Sequence, residues 1–207
     1  MVSGRFLGFL LTAKQRFMEI LEHFKQTDAL LEGHFVLSSG LHSPNYLQCA
    51  RALQLPSDAA KLGQAIAENF LNETFDTVAS PAIGGLIIGF AVAQALNMRF
   101  IWTERENGAM TLRRGFSVKE NEKILVVEDV ITTGGSTREC IEAIETRGAK
   151  VAGAASIVDR SNGKAAVGVK RIALVSIEVP SYKPENCPMC ERGEEAIKPG
   201  SRFQSKQ

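Results

Sequence analysis

Residues 123–148, K-I-L-V-V-E-D-V-I-T-T-G-G-S-T-R-E-C-I-E-A-I-E-T-R-G, constrain the fold more than any other part of the chain. The apolar run 124–127 reads as a buried strand. Two acids, Glu128 and Asp129, come next, then a hydroxyl- and glycine-rich turn. A helix follows, with Ile141 and Ile144 among its apolar positions and Gly148 at its end. A strand, a sharp turn and a helix together predict an anion site. The first N–H groups of a helix have no internal partner, and the helix dipole favours negative charge there. Thr132, Thr133, Ser136 and Thr137 add hydroxyl donors, and Gly134 and Gly135 let the backbone close around a phosphate. The carboxylates would repel that phosphate, so they should face vicinal hydroxyls or a metal that holds other phosphates. A ribose 5-phosphate meets both demands. The segment has neither the G-K-[ST] of a Walker loop nor a G-x-G-x-x-G fingerprint.

The rest of the chain extends this unit into an alternating pattern. Residues 12–25 predict an amphipathic helix opened by a T-x-x-Q capping box, with Phe17, Ile20, Leu21 and Phe24 on one face. Two strand-like runs, 33–40 and 43–50, come next. Ser57 should cap a helix reaching to about Leu71. Strands are then expected at 77–79, 99–103, 151–158 and 172–177, with a helix at 85–96 and a polar loop from 103 to about 116. Alternation of this kind predicts an α/β fold, a parallel sheet with helices on both faces and ligands beyond the strands' carboxyl ends. A single domain is expected for 207 residues.

Several classes are disfavoured. A net charge of +1 lacks the basic excess of a nucleic-acid binder. Apolar runs such as 86–93 are too short to span a bilayer, so no membrane partner is expected. The N-terminal greasy run resembles a signal peptide but has no small-residue cleavage site, so it reads as a lead-in to the first helix of a cytoplasmic enzyme. Cys187 and Cys190 form C-P-M-C, half of a zinc-ribbon pattern. Cys49 and Cys140 supply no second C-x-x-C, and a reduced turn is expected. His34 and His42 have no partner acid at an informative spacing and are expected to be structural.

V-V-E-D-V-I-T-T-G-G-S resembles the phosphoribosyl-pyrophosphate (PRPP) signature of type I phosphoribosyltransferases, and the type I phosphoribosyltransferase fold is expected with it. The resemblance implies PRPP binding by Glu128, Asp129, Val130, Ile131, Thr132, Thr133, Gly134, Gly135 and Ser136, with Arg105 at the pyrophosphate. Glu128 and Asp129 would hold the ribose hydroxyls, and the turn would hold the 5-phosphate. Mg²⁺ is expected to arrive with PRPP, with no protein ligand directly assigned. Ser80-Pro81-Ala82-Ile83-Gly84-Gly85 is similar to the family's pyrophosphate-contacting loop, without the lysine often found there.

The acceptor is implied by other segments. F-x-L-x-S-G-x-x-S-P, from Phe35 to Pro44, is similar to the N-terminal hood of members that act on orotate, with Ser38 where many carry Lys. Tyr46 would offer its ring to the flat pyrimidine. Arg160 could pair with a planar carboxylate. By resemblance it contacts orotate, with Thr132 at the opposite edge of the base. The polar segment 103–115 is similar to a lid closed over the neighbouring subunit's site. Its cations are Arg105, Arg113 and Arg114, with Arg105 weighted first. Arg105 and Asp129 are thus the expected catalytic residues.

The implied activity is transfer of the 5-phosphoribosyl group to orotate by a homodimer. The hood would cover about 1–56, the core about 57–177 and the tail 178–207. Two rivals stay open at this stage: a phosphoribosyltransferase for a purine or other base, and a PRPP-sensing regulator without turnover.

Overall fold

A computed structural model describes residues 13–37 and 39–199. The lead-in helix start with Thr12 of the capping box, and Ser38 of the hood, lie outside the described residues. Helix α1 (Ala13–Gln26) leads into an antiparallel hairpin of β1 (Leu30–Val36) and β2 (His42–Leu47). A short helix α2 (Cys49–Ala52) connects it to α3 (Pro56–Ala67). Ser57 does not cap α3: Pro56 takes the first helical position, where its missing N–H costs nothing, and Leu55 becomes the N-cap. The α-helix ends at Ala67 and tightens into a 3₁₀ turn, Glu68–Phe70.

The core sheet contains β3 (Thr77–Pro81), β4 (Arg99–Glu106), β5 (Ala109–Leu112), β6 (Lys123–Ile131), β7 (Lys150–Asp159) and β8 (Arg171–Ser176), in the order β5-β4-β3-β6-β7-β8. All neighbours run parallel except β4 and β5. Helix α4 (Gly85–Leu96) follows β3, and α5 (Gly135–Glu145) follows β6.

The two sheet faces bury separate clusters. On one, Phe24, Leu62, Ile66, Ile88 and Val92 pack over Val78, Leu125 and Val127. On the other, Cys140, Ile141 and Ile144 of α5 pack over Ile101, Ile124 and Val126. Burial on both faces explains why β6 begins as a continuous apolar run rather than an alternating one. Helix α4 buries Ile88, Ala91 and Val92 between α3 and the sheet, while its apolar Ile87 and Phe90 stay exposed. An ideal Cβ on Gly63 of α3 would come 2.6 Å from the Ala91 backbone, so glycine permits that approach.

Strand order reverses between β3 and β6: β4 lies on one side of β3 and β6 on the other. Ligands of open α/β sheets bind in the crevice beyond the carboxyl ends at such a switch point. The connections leaving β3 and β6 are the two glycine-bearing loops.

The segment 103–115 is not a loop. β4 continues through Glu106, and β5 returns antiparallel across a turn at Asn107 and Gly108, both with positive φ (51° and 86°). The tail, which contains helix α6 (Pro188–Glu191), lies along both edges of the β1–β2 hairpin. Tyr182 pairs with His42, and Ile197 bridges to Phe35.

Candidate active site

Glu128 and Asp129 form the last part of β6, at its crevice end, rather than a loop after it. Glu128 is buried and Asp129 half-buried. Burial, followed by repulsion from Asp129 and a hydrogen bond to it, pushes the Glu128 carboxyl up to about 9. Burial also raises Asp129, opposed by hydrogen bonds from the Val130 N–H (2.8 Å) and from Glu128. Glu128 therefore favours its protonated form near neutral pH, and a hydrogen bond joins the two carboxyls. Neighbouring carboxyl groups shielded from water each disfavour ionisation of the other.

The loop after β3 closes against this pair. Its Ala82–Ile83 peptide is cis, and Ile83 is 83 % exposed. A Cβ on Gly84 would sit 2.7 Å from Oδ1 of Asp129, and one on Gly85 would sit 2.9 Å from the Val127 carbonyl and 3.4 Å from Oε1 of Glu128. Any side chain here would fill the space between the two switch-point loops.

Beyond β6, Thr132, Thr133 and Ser136 are exposed, so their hydroxyls are free to meet a ligand. Gly134 takes a left-handed conformation (φ +75°) as the N-cap of α5, and a Cβ there would strike Val167 at 2.8 Å. The side chain of Thr133 accepts from the Gly135 N–H at 3.4 Å. Thr137, expected among the hydroxyl donors, is buried at 2 % exposure on the inner side of α5. Val130 and Ile131 contribute strand backbone, with Ile131 buried.

Arg160 follows β7. Its N–H donates to the Ile131 carbonyl at 2.8 Å, which sets it beside the residue preceding Thr132. Among the described residues no salt bridge joins Arg160 to its neighbour Asp159. Asp159 instead binds Arg171 at 2.9 Å. Burial would raise the Asp159 carboxyl, but hydrogen bonds from Ser161, Gly163 and Arg171 outweigh it and hold it below its ordinary range. The Nε of Arg160 is buried without a hydrogen-bond partner among the described residues. Burial lowers its pKa, while Cys49 and Tyr46 act on it electrostatically in the opposite sense. Tyr46, on β2, lies with its ring 5.8 Å from that of Phe35.

The structure thus gathers Tyr46, Glu128, Asp129 and Arg160, and adds Cys49. That buried thiol interacts with Asp129, Arg160 and Glu128, and burial pushes its pKa well up, so it is an inert wall rather than a nucleophile. No spacing in the sequence points to Cys49.

Arg105 stands apart from this group on β4. Its guanidinium donates to the Gly108 carbonyl (2.9 Å) and pairs with Glu139 of α5 at 2.5 Å. Arg113 pairs with Glu104 and Glu106, and Arg114 with Glu104. All three cations are thus engaged within the chain, on an ordered hairpin docked against α5.

This arrangement has counterparts among known proteins. Residues 51–181 match the phosphoribosyl transferase domain, and the chain belongs to that family. It is 52% identical over 184 residues to the orotate phosphoribosyltransferase of Desulforamulus reducens, which covers 89% of this chain and 96% of that protein. Its structure resembles the crystal structure of orotate phosphoribosyltransferase from Aeropyrum pernix, with a TM-score of 0.62, 27% identity, and coverage of 76% of this chain and 93% of that one. It shares the fold of the Mycobacterium tuberculosis H37Rv orotate phosphoribosyltransferase crystallised in complex with PRPP, with a TM-score of 0.61, 21% identity, and coverage of 78% and 96%. The α/β fold with a mostly parallel sheet and an N-terminal hairpin is therefore the type I phosphoribosyltransferase fold.

Proposed function

We propose that this protein transfers the 5-phosphoribosyl group of PRPP to N1 of orotate, giving orotidine 5-phosphate and pyrophosphate in pyrimidine biosynthesis. The observation that carries this reading is the placement of the Glu128–Asp129 pair against the Gly84–Gly85 backbone at the switch point. The exposed hydroxyls of residues 132–136 lie on one side, and the unpartnered guanidinium Nε of Arg160 lies nearby. The close relatives' names point the same way.

In this reading Asp129 and Glu128 accept hydrogen bonds from the ribose hydroxyls, and residues 132–136 hold the 5-phosphate at the start of α5. Thr132 and Arg160 grip opposite edges of orotate, and Tyr46 lies against its ring. As the glycosidic bond to pyrophosphate loosens, positive charge develops at C1 of the ribose. Groups already fixed around the ribose need no reorganisation to stabilise it.

Bound Mg²⁺ would neutralise charge on the leaving pyrophosphate. The donor set fits such an ion: two carboxyl oxygen donors are too few for an all-protein cage but suit a metal shared with substrate phosphates. Arg105 would exchange Glu139 for pyrophosphate as the β4–β5 hairpin moves over the site.

A homodimer sharing this hairpin accords with the apolar surface beside it. Ile83, Ile87 and Phe90 are exposed on and before α4, and a row of aromatic rings, Phe90, Phe100, Trp102 and Phe116, continues across β4. We read the chain as one domain with a hood at about 1–56, a core at about 57–177 and a tail at 178–207, working in the cytoplasm without nucleic-acid or membrane partners. Among the described residues no helix is long and apolar enough to cross a membrane.

The loss of orotate absorbance with PRPP and Mg²⁺ tests the activity. Turnover of adenine or hypoxanthine in place of orotate would overturn the acceptor. Saturable PRPP binding without turnover of any base would overturn catalysis.

A further inference from the structure

His34, His42, Cys187 and Cys190 lie far apart in sequence and outside the crevice, yet each points a metal-binding atom into one small space. Their nitrogen and sulfur atoms all lie within 4.8 Å of one another. His34 comes from β1 and His42 from β2, while the cysteines flank the start of α6 in the tail. We propose that these four side chains bind one structural Zn²⁺ ion, which clasps the C-terminal tail to the hairpin that carries Tyr46.

The separations suit a tetrahedral ion. Zinc bonds of about 2.0–2.1 Å to nitrogen and about 2.3 Å to sulfur place neighbouring ligand atoms roughly 3.3–3.8 Å apart. His34 Nε2 lies 3.6 Å from Cys187 Sγ and 3.8 Å from Cys190 Sγ, and His42 Nδ1 lies 3.3 Å from Cys190 Sγ. The two imidazole nitrogens, at 2.7 Å, need only a small parting to admit the ion between them.

The surroundings orient the ligands. His34 Nδ1 lies 2.8 Å from the Glu194 carbonyl, an acceptor only, so Nδ1 carries the proton and Nε2 presents its lone pair to the cluster. The tail therefore supplies both thiols and the group that sets the His34 tautomer. Pro188 and Met189 form the turn between the cysteines. The turn is closed by the Glu191 N–H on the Cys187 carbonyl (3.1 Å) and the Gly193 N–H on the Cys190 carbonyl (2.9 Å). Gly193 adopts φ +72° to make that second bond.

Two thiolates and two imidazoles form a closed, borderline-soft set typical of structural zinc, with no ligand position left for a substrate. A Cys187–Cys190 disulfide would leave the convergence of two imidazoles unexplained, and both cysteines are free thiols here. The clasp reinforces bonds already present between tail and hairpin: His42 with Tyr182, Val36 with Ile197, and the Ser43 hydroxyl on the Pro180 carbonyl (2.8 Å). A metal that ties three chain segments converts binding free energy directly into folding free energy.

Untagged protein grown with zinc and purified without chelators tests the site by elemental analysis, which should find about one zinc per chain. Protein grown with Co²⁺ instead should show the intense visible bands of tetrahedral cobalt and a near-ultraviolet thiolate charge-transfer band. The Cys187→Ser/Cys190→Ser double variant and the His42→Gln single variant should lose the metal, and the melting temperature should fall whether metal is lost by substitution or by a strong zinc chelator. Folded wild-type protein that holds neither zinc nor cobalt, with two free thiols or a disulfide in their place, overturns the proposal. So does full zinc occupancy in the folded double variant.

Discussion

Gly84, in the loop after β3, and Asp129, near the end of β6, approach so closely that a single methyl group at Gly84 would sit 2.7 Å from Oδ1 of Asp129. The carboxylate is thereby confined by a neighbour with no side chain, and the gap left over is where a ligand must fit. Gly84→Ala should push Asp129 aside without unfolding the sheet. A shift of that size at a positioning group costs on the order of 100-fold in rate. Normal kcat/KM for PRPP in a variant with an unchanged far-ultraviolet spectrum would show that Asp129 is not aimed at the substrate.

Asp129→Asn keeps the shape of the side chain and removes its charge. Hydrogen bonds to charged groups contribute about 1.5–3 kcal/mol, so turnover should fall by at least tenfold while the melting temperature holds or rises. Full activity with a lowered melting temperature would make Asp129 a structural residue.

Glu128 carries a pH signature. Its carboxyl in the folded, ligand-free protein titrates near 9, against 4.5 for its ordinary value. Between those values the folded state binds more protons than the unfolded state, so this group makes stability fall as pH rises from about 4.5 to about 9. Glu128→Gln cannot ionise and escapes that loss. Its melting temperature relative to wild type should therefore be higher at pH 8 than at pH 6. An equal difference at both pH values would mean that Glu128 is ordinarily ionised in the fold.

Arg105 is held by Glu139 through an ion pair in which both side chains are nearly half exposed (48% and 42%), so water and a competing polyanion can displace it. Arg105→Ala should lower kcat about tenfold or more with little change in PRPP affinity, the pattern of a contact made in the transition state. An unchanged kcat moves the role to Arg113 or Arg114, both now paired with Glu104.

Arg160→Lys preserves a cation but not the planar fork. If Arg160 grips the orotate carboxylate in bidentate fashion, KM for orotate should rise roughly tenfold while KM for PRPP stays near wild type. Equal loss for both substrates would place Arg160 in support of the fold.

Local chemistry explains which parts of this protein were legible in its sequence. The βα unit at 123–148, the α4 span and the parallel alternation depend on contacts within one strand, turn or helix, and those leave patterns a few residues apart. The same holds for the two acids and the glycine-rich turn that follows them. The β4–β5 hairpin does not show in the sequence because the end of β4 is charged: Glu104, Arg105 and Glu106 pair with Arg113 and Arg114 just after β5 and with Glu139 of α5, so no apolar alternation marks them. The Ser57 cap failed because Pro56 could begin the helix itself.

What the sequence alone determined was an acid pair at the end of a strand, followed by a hydroxyl- and glycine-rich turn that opens a helix, on a parallel sheet. Tertiary structure decided where charges and ligands separated in sequence meet. It turned Asp159 toward Arg171, leaving Arg160 without that partner, and it brought Cys49 within electrostatic reach of the acids. It also carried C-P-M-C of the tail across to His34 and His42. The spacing between cysteines was visible, but a pair of histidines eight residues apart signals a metal only when a hairpin folds them onto the same face. Long-range encounters are set by how the packed layers close, and chain separation carries no record of that distance.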